Sequence, residues 1–181
     1  FNDRAAKITE EQPDKNDEFP IELTLSGGVA RSHPDGVYYL FPLPGTRVEA
    51  VSGDKGYFKV PLSPARSVWI SEDHVESSTP SLPNSKPIVW KAEVLETQYG
   101  DELVIPLDSK LLFRILPTVN ARVITLEIYG VITHIDIISY QNPTRLIRQV
   151  VWEVPADNVL RLEVNLSEKL WGYKIRFEEN S

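Results

Sequence analysis

The stretch Leu160-Arg161-Leu162-Glu163-Val164-Asn165-Leu166 places an apolar residue at every second position. Successive side chains of an extended chain point to opposite faces, so a period of two buries the leucines and the valine and leaves Arg161, Glu163 and Asn165 wet. The same period runs through Ile21-Glu-Leu-Thr-Leu25, Thr46-Arg-Val-Glu-Ala-Val51, Tyr57-Phe-Lys-Val60 and Tyr173-Lys-Ile-Arg-Phe177. Turn signals separate such runs at Ser26-Gly27-Gly28, Pro34-Asp35-Gly36, Pro44-Gly45, Ser52-Gly53-Asp54 and Tyr99-Gly100-Asp101. No stretch carries helical spacing. The sequence therefore predicts an all-β chain.

Two breaks organise it. Residues 1–20 are rich in charge and poor in large apolar groups, and read as a flexible arm or an upstream linker. The run from Glu76 to Pro87 holds Pro80, Pro83 and Pro87 among four serines, and reads as an extended linker centred on 78–87. Between the breaks, residues 21–77 offer five or six short strands, which bury their inner faces by curling into a small barrel. Residues 88–181 offer about eight antiparallel strands, including Trp171–Phe177, and describe a two-sheet sandwich.

Composition narrows the chemistry. The chain has 181 residues, 41% of them hydrophobic, with 19 basic and 26 acidic side chains and a net charge of −7. It has no cysteine, which removes disulfides, thiolate metal sites and cysteine nucleophiles. It has no methionine and starts at Phe1, and is read as a piece of a longer product. The absence of a basic stripe argues against nucleic acid, and no apolar run is long enough for a membrane span, Val123–Tyr140 being interrupted by Glu127, His134 and Asp136.

Candidate chemistry is sparse. His33, His74 and His134 lack ligand spacing, and the adjacent carboxylate pairs lack the opposed geometry of a glycosidase. No Gly-rich phosphate loop and no Gly-x-Ser-x-Gly elbow occurs, so no catalytic, cofactor or metal residues are assigned. The aromatics are more informative. Tyr38, Tyr39, Phe41, Tyr57, Phe58 and Trp69 crowd a segment too small to bury them all, and Tyr and Trp suit a groove for a peptide or sugar chain. Tyr38, Tyr39, Tyr57 and Trp69 are the ligand-binding candidates; core packing competes with the groove for all of these aromatics and is the favoured reading for Phe58 and Trp69. Trp90, Trp152, Trp171, Tyr129 and Tyr173 fall on strand patterns and are mostly expected in the core.

Val29-Ala-Arg-Ser-His-Pro-Asp-Gly36, Pro42-Leu-Pro-Gly-Thr-Arg-Val-Glu49, Gly56-Tyr-Phe-Lys-Val60 and Val68-Trp-Ile-Ser-Glu-Asp-His-Val75 together resemble the bacterial SH3-like domain, in the family's order. Tyr57 stands where that family has Trp, and no glycine precedes the closing Trp69 at Arg66-Ser67. The segment Glu168-Lys-Leu-Trp-Gly-Tyr-Lys-Ile-Arg-Phe177 resembles the AMIN-type β-sandwich found before the catalytic domain of bacterial N-acetylmuramoyl-L-alanine amidases. These resemblances imply an extracytoplasmic, non-catalytic region that holds a cell-envelope hydrolase against peptidoglycan. Zinc would then belong to a catalytic domain beyond Ser181. The alternative expectation is an adhesin or scaffold that binds an envelope protein through a sheet edge.

Overall fold

The computed structural model describes residues 21–80, 86–116, 118–141 and 144–178. It is all-β. The first half carries β1 (Ile21–Leu25), β2 (Ala30–Arg31), β3 (Tyr38–Leu40), β4 (Thr46–Ala50), β5 (Ser52–Asp54), β6 (Tyr57–Ser63), β7 (Arg66–Ser71) and β8 (Val75–Pro80), with one 3-10 turn at Glu72–His74. The second carries β9 (Ile88–Thr97), β10 (Gly100–Val104), β11 (Phe113–Leu116), β12 (Val123–Tyr129), β13 (Ile132–Gln141), β14 (Ile147–Ala156) and β15 (Val159–Leu166).

Strands β4-β1-β8 form one sheet and β3-β2-β7-β6-β5 another. Leu23, Leu25, Ala30, Val60, Val68 and Ile70 face inward from both and share one apolar core. Gly28 closes the approach of the two sheets at φ +95°, and a Cβ there would lie 2.4 Å from the His74 ring, so no other residue fits. In the second half, β10-β9-β13 and β11-β12-β15-β14 enclose a second core built on Val89, Val94, Ile128, Ile135, Leu160 and Leu162.

Four expectations change. Residues 76–80 of the expected linker belong to strand β8 (Val75–Pro80), paired with β1 from Ile21↔Pro80 onward, while residues 81–85 of that linker and the arm 1–20 lie outside the described residues. Strand β13 runs parallel to β9, so the second half is not wholly antiparallel. Trp171–Phe177 forms no strand despite its alternation: it pairs with no ladder and is held by Arg176 to Glu102 at 2.8 Å. Finally, of the five aromatics expected in the second core, Tyr129 is buried but Trp90, Trp152, Trp171 and Tyr173 are exposed, Trp171 almost completely.

The halves meet at a polar seam. Cross-strand pairing lines up Arg114, Glu127, Arg161 and Glu153 across β11-β12-β15-β14, alternating in sign. Glu127 is buried; it accepts from Arg161 Nη2 at 2.6 Å, Arg161 Nε at 3.0 Å and the Tyr129 hydroxyl at 2.6 Å. Arg66, from the first half, reaches it at 3.6 Å. Burial acts to raise the Glu127 carboxyl, but the bonds from Tyr129 and Arg161 and the charges of Arg161 and Arg66 outweigh it and hold the group below its ordinary value. Burial and the neighbouring Glu127 push the Tyr129 hydroxyl well up, so it stays a neutral donor. Around this seam Leu112, Tyr129 and Val159 join the core cluster of the first half, and Lys110 Nζ donates to the Pro44 carbonyl at 3.0 Å.

Candidate ligand-binding face

Strands β6 and β7 alternate cleanly: Val60, Leu62, Val68 and Ile70 are buried, so Tyr57, Lys59, Ser67, Trp69 and Ser71 stand on the opposite face of the five-stranded sheet. Residues directly opposite each other on paired strands share a face. Tyr38 is opposite Arg31, Arg31 is opposite Trp69, and Trp69 is opposite Lys59. The pairing thus produces a continuous outward row, Tyr38–Arg31–Trp69–Lys59, across β3, β2, β7 and β6. Tyr57 lies beside it on the same face, opposite Ser71 and Asp54.

The row is ordered by its own contacts. The Arg31 guanidinium stacks 4.6 Å over the Tyr38 ring and donates to the Gly36 carbonyl at 2.8 Å. Lys59 Nζ lies 5.9 Å from the Trp69 ring centre, and Tyr38 packs edge-on to Phe41 at 6.2 Å. Tyr57 donates to Asp35 Oδ1 at 3.2 Å across the turn that follows β2. Asp35 occupies that turn at φ +59°, a left-handed position that Asp tolerates better than most residues. Arg31 and Tyr57 therefore tie the turn to one end of the face.

Among the described residues, no carboxylate forms an ion pair with Arg31 or Lys59. Both are only partly exposed, and Tyr38 is 61% exposed. An aromatic flanked by unneutralised cations can stack on a flat or apolar ligand group while drawing in anions.

Of the four candidates, the structure brings Tyr38, Tyr57 and Trp69 onto this face and takes Tyr39 elsewhere. The β2–β3 register jumps between Ala30↔Leu40 and Arg31↔Tyr38, so Tyr39 is the extra residue. Its ring packs against the first core and lies 4.1 Å from the Arg114 guanidinium and 5.9 Å from that of Arg66, in the seam. Phe58 also packs toward the core. Sequence reasoning missed Arg31 and Lys59. The outward parity of Lys59 was readable from the alternation in Tyr57–Val60, whereas Arg31 lies in no alternating run, and the alignment of both with Trp69 follows only from strand pairing.

The histidines do not converge. His33 Nδ1 contacts the Pro34 carbonyl at 2.8 Å, His74 sits against Gly28, and the His134 ring lies 5.1 Å from Trp90. Among the described residues no group of three or more His, Asp or Glu side chains is placed to hold a metal ion, and no helix is long and apolar enough to cross a membrane. An open groove of about 370 Å³ lies apart from the row, lined by Ile21, Val51, Phe58 and Glu72 among others. Compared with known proteins, the chain matches no family model, no curated protein and no solved structure.

Proposed function

We propose that this chain is a non-catalytic peptidoglycan-binding region of a bacterial cell-envelope hydrolase, acting outside the cytoplasm. In this reading the first half is a bacterial SH3-like barrel, the second an AMIN-like sandwich, and the parent an N-acetylmuramoyl-L-alanine amidase whose zinc-dependent domain follows this chain. The observation that carries it is the open row Tyr38–Arg31–Trp69–Lys59 with Tyr57 beside it. Murein is a glycan chain of sugar rings, which stack on aromatics, carrying short side peptides that bear carboxylates, and the row offers a partner for each. The seam at Glu127 supports a single frame presenting the face, rather than two modules on a free tether. Sedimentation with purified peptidoglycan tests the reading: the full chain is expected in the pellet and the Trp69→Ala variant largely in the supernatant. Equal recovery of both in the supernatant would defeat it.

A second reading is favoured by a different observation. Strand β14 is the outermost strand of the four-stranded sheet, and it exposes Val151, Trp152 and Val154. A ten-residue edge with exposed apolar side chains suits addition of a strand from an envelope protein. Capture of such a protein that is lost in Val151→Lys, together with no retention on murein, would favour this scaffold role.

A further inference from the structure

The segment Trp171–Phe177 alternates Trp171, Tyr173, Ile175 and Phe177 with Gly172, Lys174 and Arg176, and among the described residues its backbone makes no hydrogen bond. Trp171 is 96% exposed and Tyr173 58%. The segment thus has the pattern of a strand with neither ladder nor cover. Strand β14 has the converse shortage: its only ladder is toward β15, and its other edge is open. That ladder fixes its two sides. Val150 and Trp152 stand opposite Val164 and Leu162, on the core side, whereas Val151 and Glu153 stand opposite Glu163 and Arg161, on the outer side.

We infer that Trp171–Phe177 of one copy adds as a strand to the β14 edge of a second copy, and that two copies exchange these segments reciprocally. Every pairing of this sheet is antiparallel, and in that sense the two sequences match side by side. With Lys174 opposite Glu153 of the second copy, Tyr173, Ile175 and Phe177 fall opposite its Val154, Trp152 and Val150, on the core side. Arg176 falls opposite Val151, whose neighbour on β15 is Glu163. Both cations of the segment thus meet carboxylates, and its apolar side covers the exposed Trp152 and Val154. The ladder ends at Pro155, which has no N–H to give and faces Gly172. A second copy is needed because the segment cannot lie along its own edge. Leu170 N donates to the Ala121 carbonyl at 2.9 Å, beside the start of β12, and β15 and β14 both lie between β12 and the open edge. A strand added there would be about 14 Å from β12, whereas one residue spans at most about 3.6 Å. Arg176 gives up its pair with Glu102, and exposed pairs contribute little. The inference stands apart from the wall-binding reading; it names this chain, in place of an envelope protein, as the source of the strand that β14 receives.

Sedimentation equilibrium of the full chain tests it, with a concentration-dependent dimer as the expected result. Ile175→Asp should weaken the dimer by about tenfold or more, and Lys174→Glu by about tenfold, because each dimer holds the charge contact twice. Adding Glu153→Lys to Lys174→Glu should recover most of that loss. Register is read by cross-linking, since the chain has no cysteine of its own. Chains with Lys174→Cys are mixed with chains with Glu153→Cys and mildly oxidised. Opposed residues on antiparallel strands bring their Cα atoms to about 4.5–5.5 Å, within disulfide range, so a linked pair of one chain of each kind is expected. Both side chains are exposed, and unfolding midpoints check that the variants stay folded. If the dimer persists unchanged in Ile175→Asp, the β14 edges pair directly and the exchange is overturned. A chain that stays monomeric at every concentration overturns it as well, while retention on murein and capture of an envelope protein keep their own tests.

Discussion

The row Tyr38, Arg31, Trp69, Lys59 crosses one sheet, and the row Arg114, Glu127, Arg161, Glu153 crosses another. Both are built by the same cross-strand register, yet one is left open and the other is covered at Glu127, with Glu153 at its far end exposed. The second alternates in sign, so opposite charges face each other on neighbouring strands, and Glu127 is buried with both carboxylate oxygens hydrogen-bonded, one to Arg161 and one to Tyr129. The first alternates cation with aromatic ring and has no internal anion. Covering it with the chain's own apolar surface would strand two charges, which costs several kcal/mol per ion by order of magnitude. Charge neutrality within a row thus separates a surface that the fold uses for itself from one available to something else.

The largest way to break the contrast is Glu127→Ala, which removes the shared acceptor of Arg161, Tyr129 and Arg66. A loss of about 3–5 kcal/mol is expected in urea unfolding, as for other buried ion pairs deprived of one partner. Acid should act in the same direction. Because the Glu127 carboxyl is held below its unfolded value, its contribution is present in full above about pH 4.3 and is lost as pH falls through the folded value. Urea midpoints of the native chain should drop over that range more steeply than those of Glu127→Gln. Arg66→Ala touches the seam from its more exposed side and should cost about 0.5–1 kcal/mol, while raising the rate of proteolytic cleavage between the halves. On the open row the pattern inverts. Trp69→Ala should move stability by less than about 1 kcal/mol and Lys59→Gln by less than about 0.5 kcal/mol, although both weaken retention on murein. A large stability loss from Lys59→Gln would erase the distinction between the rows.

The alternation in Leu160–Leu166 announced both the strand and its buried face, and the same holds for β1, β4 and β6, because parity is local information. Partnership is not. The start of the Ser- and Pro-rich stretch, residues 76–80, reads as linker, and becomes part of a strand because β1 supplies its ladder. Trp171–Phe177 has faultless alternation and no strand beside it, so it stays unpaired. Alternation also fails to say whether an outward face is covered, which is why Trp90 and Trp152 turn out exposed. Glu127 reads as an interruption in an apolar run; its value depends on Arg66, which lies far away in sequence. For the candidate face, the aromatics were visible from local crowding, the cations between them only through register, and the diversion of Tyr39 only through the irregularity beside β2.

Strand β15, the last in chain order among the described strands, occupies an interior position between β12 and β14. Likewise β8 flanks β1, the first, across most of the N-terminal half. Neither sheet can close by zipping up from a hairpin as the polypeptide leaves the ribosome, because each waits for a strand made late. Folding is expected to proceed in the millisecond-to-second range typical of non-local β pairing, with β12 and its apolar neighbours exposed in the interval. A nascent chain of this kind gains most from an escort that shields β12 until residue 166 has emerged.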